Sequence, residues 1–170
     1  MSPYETMSRE ELLRALKAFA KNWLAHDGCW FLAAEERLGL EAAVDLDAAA
    51  WKRFAAAEAK RLIEVFGIQE GGGLQALARA LSLRMYAVLN EQHTEWVDEG
   101  RTLRFVMDGC RVQETRRRKG LQDFPCRPVG DVEFSTFARA IDPRTATRCI
   151  SCPPDPNPSG ACTWQFTLSE

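Results

Sequence analysis

Apolar residues recur at helical spacing through the first half of the chain and change to alternation in the second half. Ser8-Arg9-Glu10-Glu11 is a capping box, in which the Ser hydroxyl and the Glu carboxylate satisfy backbone N–H groups at a helix start. Leu12, Leu16, Phe19 and Trp23 follow as a stripe that other elements should cover. Cys29 to Leu38 reads as a separate short helix carrying Trp30, Phe31 and Ala34, stopped by Gly39. Asp47 can cap a third helix whose buried face is Trp51, Phe54, Glu58 or Ala59, Leu62 and Phe66, with Gly67 closing it. Gly71-Gly72-Gly73 is a break and not a phosphate loop, because no Lys-Ser/Thr follows and no strand precedes it. A fourth helix is expected over Leu74 to Leu89.

Beyond Asn90, Trp96 and Val97 and then Leu103, Phe105 and Met107 flank Asp98-Glu99-Gly100-Arg101, a hairpin pattern with a Gly-containing turn. A short helix over Val112 to Lys119 comes next. Another begins at Asp131 as N-cap and runs through Phe134, Phe137 and Ala138 to end before Pro143. Thr145 to Ile150 and Thr163 to Leu168 are the last strands; Trp164, Phe166 and Leu168 alternate, so one face of the final strand packs inward. Pro153 to Gly160 reads as a stiff connector between them. The expected fold is α+β, a single domain over 1–170. An N-terminal helical layer (1–90) packs on a small, mostly antiparallel sheet (91–170) that carries a Cys-rich metal site.

Composition narrows the function classes. A formal charge of −2 gives no general attraction to phosphate backbones or acidic bilayers. The basic run Arg116-Arg117-Arg118-Lys119 sits before Gly120, where a helix C-terminus favours cations in a solvated last turn. No partner among nucleic acids or membranes is therefore expected. The N-terminal residues lack a basic region followed by an apolar run of signal-peptide length, and the expected localisation is cytoplasmic, where thiols stay reduced. Homodimerisation through an apolar helix face is a further expectation.

Of the 6 cysteines, Cys110, Cys126, Cys149, Cys152 and Cys162 fall in the second half. Cys149 and Cys152 end one strand and Cys162 opens the next, so three thiols can meet at one end of a hairpin. A tetrahedral zinc site needs a fourth ligand. Cys126, in Phe124-Pro125-Cys126-Arg127-Pro128, and Cys110, after Asp108-Gly109, both qualify. Zinc is the expected cofactor and an iron–sulfur cluster the alternative. Closed by four cysteines, such a site has no open position for water and is structural. Small buried hydrophobes are the competing role for the same thiols.

The order Cys126, Cys149-x-x-Cys152, then Cys162-Thr-Trp-Gln-Phe, resembles the vinyl-reductase-type ligand-binding domain, which includes the sensor domains of phenol-responsive regulators. That resemblance implies zinc on Cys126, Cys149, Cys152 and Cys162, with Cys149 standing where the family has a Glu and with a longer, proline-rich loop. Gly-Ala-Cys162-Thr-Trp-Gln-Phe is similar to the C-terminus of aminothiazoline-carboxylate hydrolase-like proteins. Over its whole length the chain resembles an uncharacterised family of bacterial cytosolic proteins. The matching segments are Asp27-Gly28-Cys29-Trp30-Phe31-Leu32, Cys110 to Arg116, Phe124 to Gly130 and Cys149 to Asp155. This last resemblance implies no activity.

Other chemistry is sparse. His26 and His93 are the only histidines and read as surface or capping groups. Glu35 or Glu36 can face a pocket beneath Trp30 and Phe31, the candidate ligand-binding pair. Cys110, Glu114 and Arg116 form the candidate catalytic group, because a thiol at a helix start beside an Arg favours thiolate. Cys29, in an aromatic-rich segment, reads as core. Two functions follow. One is a zinc-stabilised module binding a small apolar or aromatic molecule between helices and sheet. The alternative is a hydrolase of a small C–N substrate using Cys110 or a metal-bound water.

Overall fold

The computed structural model describes residues 2–155 and 162–169. The capping box at Ser8 forms as expected: the Ser8 hydroxyl accepts from the Glu11 N–H at 3.3 Å, and the Glu11 carboxylate accepts from the Ser8 N–H at 2.8 Å. From it runs α1 (Arg9–Leu38), 30 residues without interruption. The expected separate helix at Cys29 is therefore the second half of one element. A single glycine in a helix interior costs about 1 kcal/mol relative to Ala, too little for Gly28 to end a helix flanked by good helix formers. Only Ala20 and Ala34 of α1 are buried. Leu12, Leu16 and Phe19, expected to be covered, are 41%, 51% and 55% exposed.

Gly39 (φ +84°) turns the chain directly into α2 (Leu40–Phe66), so Asp47 lies inside a helix instead of capping one. Gly67 closes α2 in the left-handed conformation (φ 60°, ψ 40°), as the pattern requires. The triple glycine leads into α3 (Gly73–Leu83), which ends earlier than expected and gives way to a 3₁₀ turn at Met85–Val88. Asp142 pins this glycine turn. Its carboxylate accepts from the Gly73 N–H at 2.9 Å and from the Arg144 guanidinium at 2.7 Å, while Arg144 also donates to the Gly71 carbonyl.

The second half holds β1 (Glu91–Val97), β2 (Thr102–Gly109), α4 (Arg111–Arg118), α5 (Cys126–Ile141), β3 (Thr145–Ser151) and β4 (Cys162–Leu168). All neighbours in the four-stranded sheet are antiparallel, in the order β1-β2-β4-β3. Helix α5 begins five residues before the expected Asp131 cap, because Pro128 falls in its first turn, where a missing N–H is tolerated. The connector at Pro153 to Gly160 lies largely outside the described residues.

The layers differ from the expected order in one respect. Helix α5, from the second half, lies on the sheet, and α2 packs along α5; α1 is outermost, resting on α2 and the Met85–Val88 turn. Ala55 and Ala59 give α2 a flat face toward its neighbours and are fully buried. On the sheet, Leu103, Phe105 and Met107 of β2 stand opposite Phe166, Trp164 and Cys162 of β4 and form the core floor. Trp164 stacks on Phe134 with ring centroids 4.7 Å apart and crosses α5 at Gly130, where a Cβ would stand 2.3 Å from the indole. Glycine is required there by contact, since its φ is ordinary.

Candidate functional site

Because α1 rests on α2 and the Met85–Val88 turn, a gap remains beneath it, bounded by α4, α5 and the sheet. This gap is a cavity of about 550 Å³, within the range of small-molecule sites. Leu24, Phe31 and Leu32 face it from α1, Trp51 from α2, and Phe105 and Met107 from β2. Gly28 also borders it, and a Cβ built there would meet no atom within 4 Å. The glycine that failed to break α1 thus leaves open space over the cavity. Of the candidate pair, Phe31 lines the cavity, whereas Trp30 is 63% exposed and borders only a second, smaller hollow between α1 and α2.

A buried ionic centre supports the inner wall. The Arg84 guanidinium, 3% exposed, meets Glu58 at 2.8 Å and Glu133 at 2.7 Å. It lies 4.6 Å from the Phe137 ring centroid and 5.7 Å from that of Trp51. Burial works against the charged guanidinium, but Glu133 and Glu58 outweigh it and hold Arg84 cationic. Glu133 is pushed the other way, its carboxyl raised by burial and only partly brought back by Arg84. Tyr86 borders the same wall, and burial raises its hydroxyl well above the ordinary range. Trp23, Trp51, Phe54 and Tyr86 form a mutually packed aromatic group, with Trp23 stacked on Phe54 at 5.7 Å.

Two further carboxyls, Asp27 of α1 and Asp47 of α2, border the cavity without a cationic partner within 4 Å among the described residues. Burial raises Asp27, and burial followed by the nearby Asp27 and Glu133 charges pushes Asp47 up to about 7.

The far end of α1 is tied down by Arg116. Its guanidinium makes a bidentate pair with Glu35 at 2.7 and 2.9 Å, donates to the Gln122 carbonyl at 2.8 Å and lies over Phe31 at 5.8 Å. Phe31 meets Phe124 edge to face at 5.1 Å. Arg116 is thus a buried anchor, 4% exposed, where the sequence suggested a wholly solvated last turn. Phe124 is held in turn by Gln113, which donates to the Phe124 carbonyl at 2.8 Å and accepts from its N–H at 2.9 Å.

The catalytic grouping of Cys110, Glu114 and Arg116 does not assemble as expected. Cys110 is the N-cap residue of α4, but burial raises its thiol above the ordinary range, and Arg116 is committed to Glu35. The helix start and its N–H groups lower the thiol by less than desolvation raises it. Cys29 is exposed at the edge of the cavity and is not core. His93 lies exposed on β1, hydrogen-bonded to Asp108 at 2.7 Å and Glu95 at 3.2 Å, which raise its pKa, and it does not line the cavity.

The remaining cysteines converge on the end of the sheet nearest α5. Residues three apart on a regular strand face opposite ways. A bulge between Cys149 and Ser151 corrects this: Cys149 pairs with Trp164 and Ser151 with Thr163. Cys149 and Cys152 are consequently both buried and hydrogen-bonded to each other, which raises the Cys149 thiol and lowers that of Cys152. The Cys126 N–H donates to the Pro153 carbonyl at 3.0 Å, drawing α5 to the same loop. Its sulfur accepts from Gln113 at 3.1 Å and donates to Phe124 O at 3.5 Å, and burial pushes its pKa up to about 12. Burial likewise raises Cys162. Among the described residues no three His, Cys, Asp or Glu side chains stand as a set that could hold a metal ion.

Sequence reasoning placed Glu58 on an apolar stripe but missed its partners. Arg84 meets Glu58 across 26 residues of chain and Glu133 across 49, and only the three-dimensional packing makes the three a unit. An arginine ending the apolar run Ala80-Leu81-Ser82-Leu83 was the available signal.

No described helix is long and apolar enough to cross a membrane. No curated protein matches the chain. Among solved structures, it is similar to a trafficking protein particle complex subunit 3 from Naegleria fowleri, described as covalently bound to palmitic acid. The two are 9% identical, with a TM-score of 0.53, over 92% of this chain and 96% of that one, a likeness of fold alone. A family model matches residues 5–168, and the chain belongs to that family, a family of unknown function designated DUF6125.

Proposed function

We propose that this protein binds a small, largely apolar molecule in the cavity beneath α1. The observation that carries the reading is the cavity itself: about 550 Å³ walled by aromatic and aliphatic side chains from helices and sheet. Its wall is pre-formed. The Arg84 ionic centre fixes one side, and the Glu35–Arg116–Phe31–Phe124 cluster fixes the other. A protein of the same fold is described as covalently bound to palmitic acid, which favours an elongated acyl or aromatic ligand here. Covalent attachment at Cys110, Cys126 or Cys162 is a poorer fit, because burial raises these thiols and a thiol held protonated is a weak nucleophile. The same property speaks against the hydrolase alternative at Cys110.

The test is native mass spectrometry of purified protein followed by denaturing extraction. A retained hydrophobic molecule that is released on unfolding supports the reading. Failure of the protein to take up any apolar compound offered in solution removes it.

A second reading, a thiophilic metal on Cys126, Cys149, Cys152 and Cys162, draws support from the bulge that turns both Cys149 and Cys152 inward. Zinc held there would cross-link β3, β4 and α5 without supplying reactive water. Elemental analysis of anaerobically purified protein tests it. Stoichiometric zinc lost in Cys149→Ser sustains the reading, and substoichiometric metal in the unaltered protein ends it.

A further inference from the structure

We infer that the ligand is an amphiphile with an anionic head, a refinement that rests on the cavity reading above. Five cations border the cavity: Lys21, Arg84, Arg111, Arg116 and Lys119. They divide sharply. Arg84 and Arg116 are buried, and each is matched by carboxylates, Glu58 and Glu133 for the first and Glu35 for the second. Lys21, Arg111 and Lys119 are exposed, and among the described residues none has a carboxylate within 4 Å. They come from both sides of the gap, Lys21 from α1 and the other two from the ends of α4.

The uncharged polar groups bordering the cavity add donors near one of these cations. The Asn90 side-chain oxygen accepts from the Arg111 N–H at 3.2 Å, which leaves its NH₂ group free to donate. The unpaired carboxyls are different in kind. Burial raises both Asp27 and Asp47, so carrying a negative charge is costly at these partly buried acids, whereas the three outer cations stand in solvent. An apolar tail inside and an acidic head at the solvent edge satisfy both sets of groups. A cationic head would leave the three outer cations unmatched and add like charge to them.

A carboxylate and a phosphate head share this chemistry, and displacement of the uncharged dye N-phenyl-1-naphthylamine separates them from other heads. Hexadecanoate, hexadecyl phosphate, hexadecanol and hexadecyltrimethylammonium are compared below their micelle-forming concentrations. The anionic compounds should displace the dye at about tenfold lower concentration than the alcohol. That advantage should vanish in a Lys21→Gln, Arg111→Gln, Lys119→Gln variant, since each exposed ion pair contributes up to about a fewfold. These substitutions lie on exposed positions, and retained dye binding by the variant certifies its fold. Whichever anion binds more tightly identifies the head as carboxylate or phosphate. Equal displacement by acid and alcohol, or preference for the ammonium compound, overturns the inference while leaving the cavity reading intact. Absence of dye binding, with no uptake of any of the four, overturns both.

Discussion

Replacing Gly28 by Leu should separate stability from binding. Gly28 sits inside α1 with open space where its side chain would be, so substitution meets no clash: a Cβ there has no neighbour within 4 Å. Relative to Leu, glycine in a helix interior is less favourable by about 0.8 kcal/mol. The variant should therefore be more stable by about 0.5–1 kcal/mol, which for a chain of this size raises Tm by about 2–4 °C. Its isobutyl group projects into the cavity, displacing ligand volume where Phe31 and Leu24 line the wall. Dye affinity should fall about tenfold or more, because a ligand filling the cavity would then overlap the added side chain. Gly28→Ala is the control: it gains the helix propensity and leaves most of the space open, so it should gain stability with little loss of binding. Thermal melts by circular dichroism and dye titrations on the same preparations read both effects. A Gly28→Leu protein that is stabilised and binds unchanged would refute the assignment of the ligand to this cavity.

The packing and the buried charges give three more expectations. Gly130→Ala places a methyl 2.3 Å from the Trp164 indole, which is backed by Phe134, and should destabilise by about 1–3 kcal/mol, measured as a fall in the urea midpoint. Asp47 is raised in the fold to about 7, so its carboxyl favours the folded state below the unfolded pKa and that contribution is lost as pH rises through about 7. Asp47→Asn should consequently stabilise by about 1–3 kcal/mol at about pH 8 and be nearly neutral at about pH 4. Asp142 has the opposite sign: hydrogen bonds from Arg144 hold its pKa far below the usual carboxylate range. Its contribution is present above the unfolded pKa and lost as pH falls toward the folded one. Asp142→Asn should cost about 1.5–3 kcal/mol at neutral pH and lose most of that effect in strong acid, as followed by urea unfolding across pH.

Much of the fold was legible because local signals were strong. The Ser8 capping box, Gly67, the Asp98–Gly100 turn and the alternation of Trp164 and Phe166 each act within a few residues, and each formed as the pattern requires. Errors arose where tertiary context outweighs local preference. Helix starts read at Cys29 and at Asp47 fall inside α1 and α2, since long flanking runs of helix formers carry both helices through them. The apolar residues at Leu12, Leu16 and Phe19 signalled burial that does not occur: they stand exposed on the first turns of α1. The site was legible in part. Phe31 borders the cavity, and the inward pairing of Cys149 with Cys152 needed a bulge that spacing alone does not reveal. The Arg84 centre and the Gln113 clamp depend on contacts between distant segments and left almost no local trace.

Titration of the unaltered protein with N-phenyl-1-naphthylamine tests the central claim most directly. The account predicts one saturable site with blue-shifted emission and a micromolar or tighter dissociation constant, competed away by long-chain amphiphiles. Emission that rises without saturation, or that apolar competitors leave unchanged, would contradict a ligand-binding cavity beneath α1.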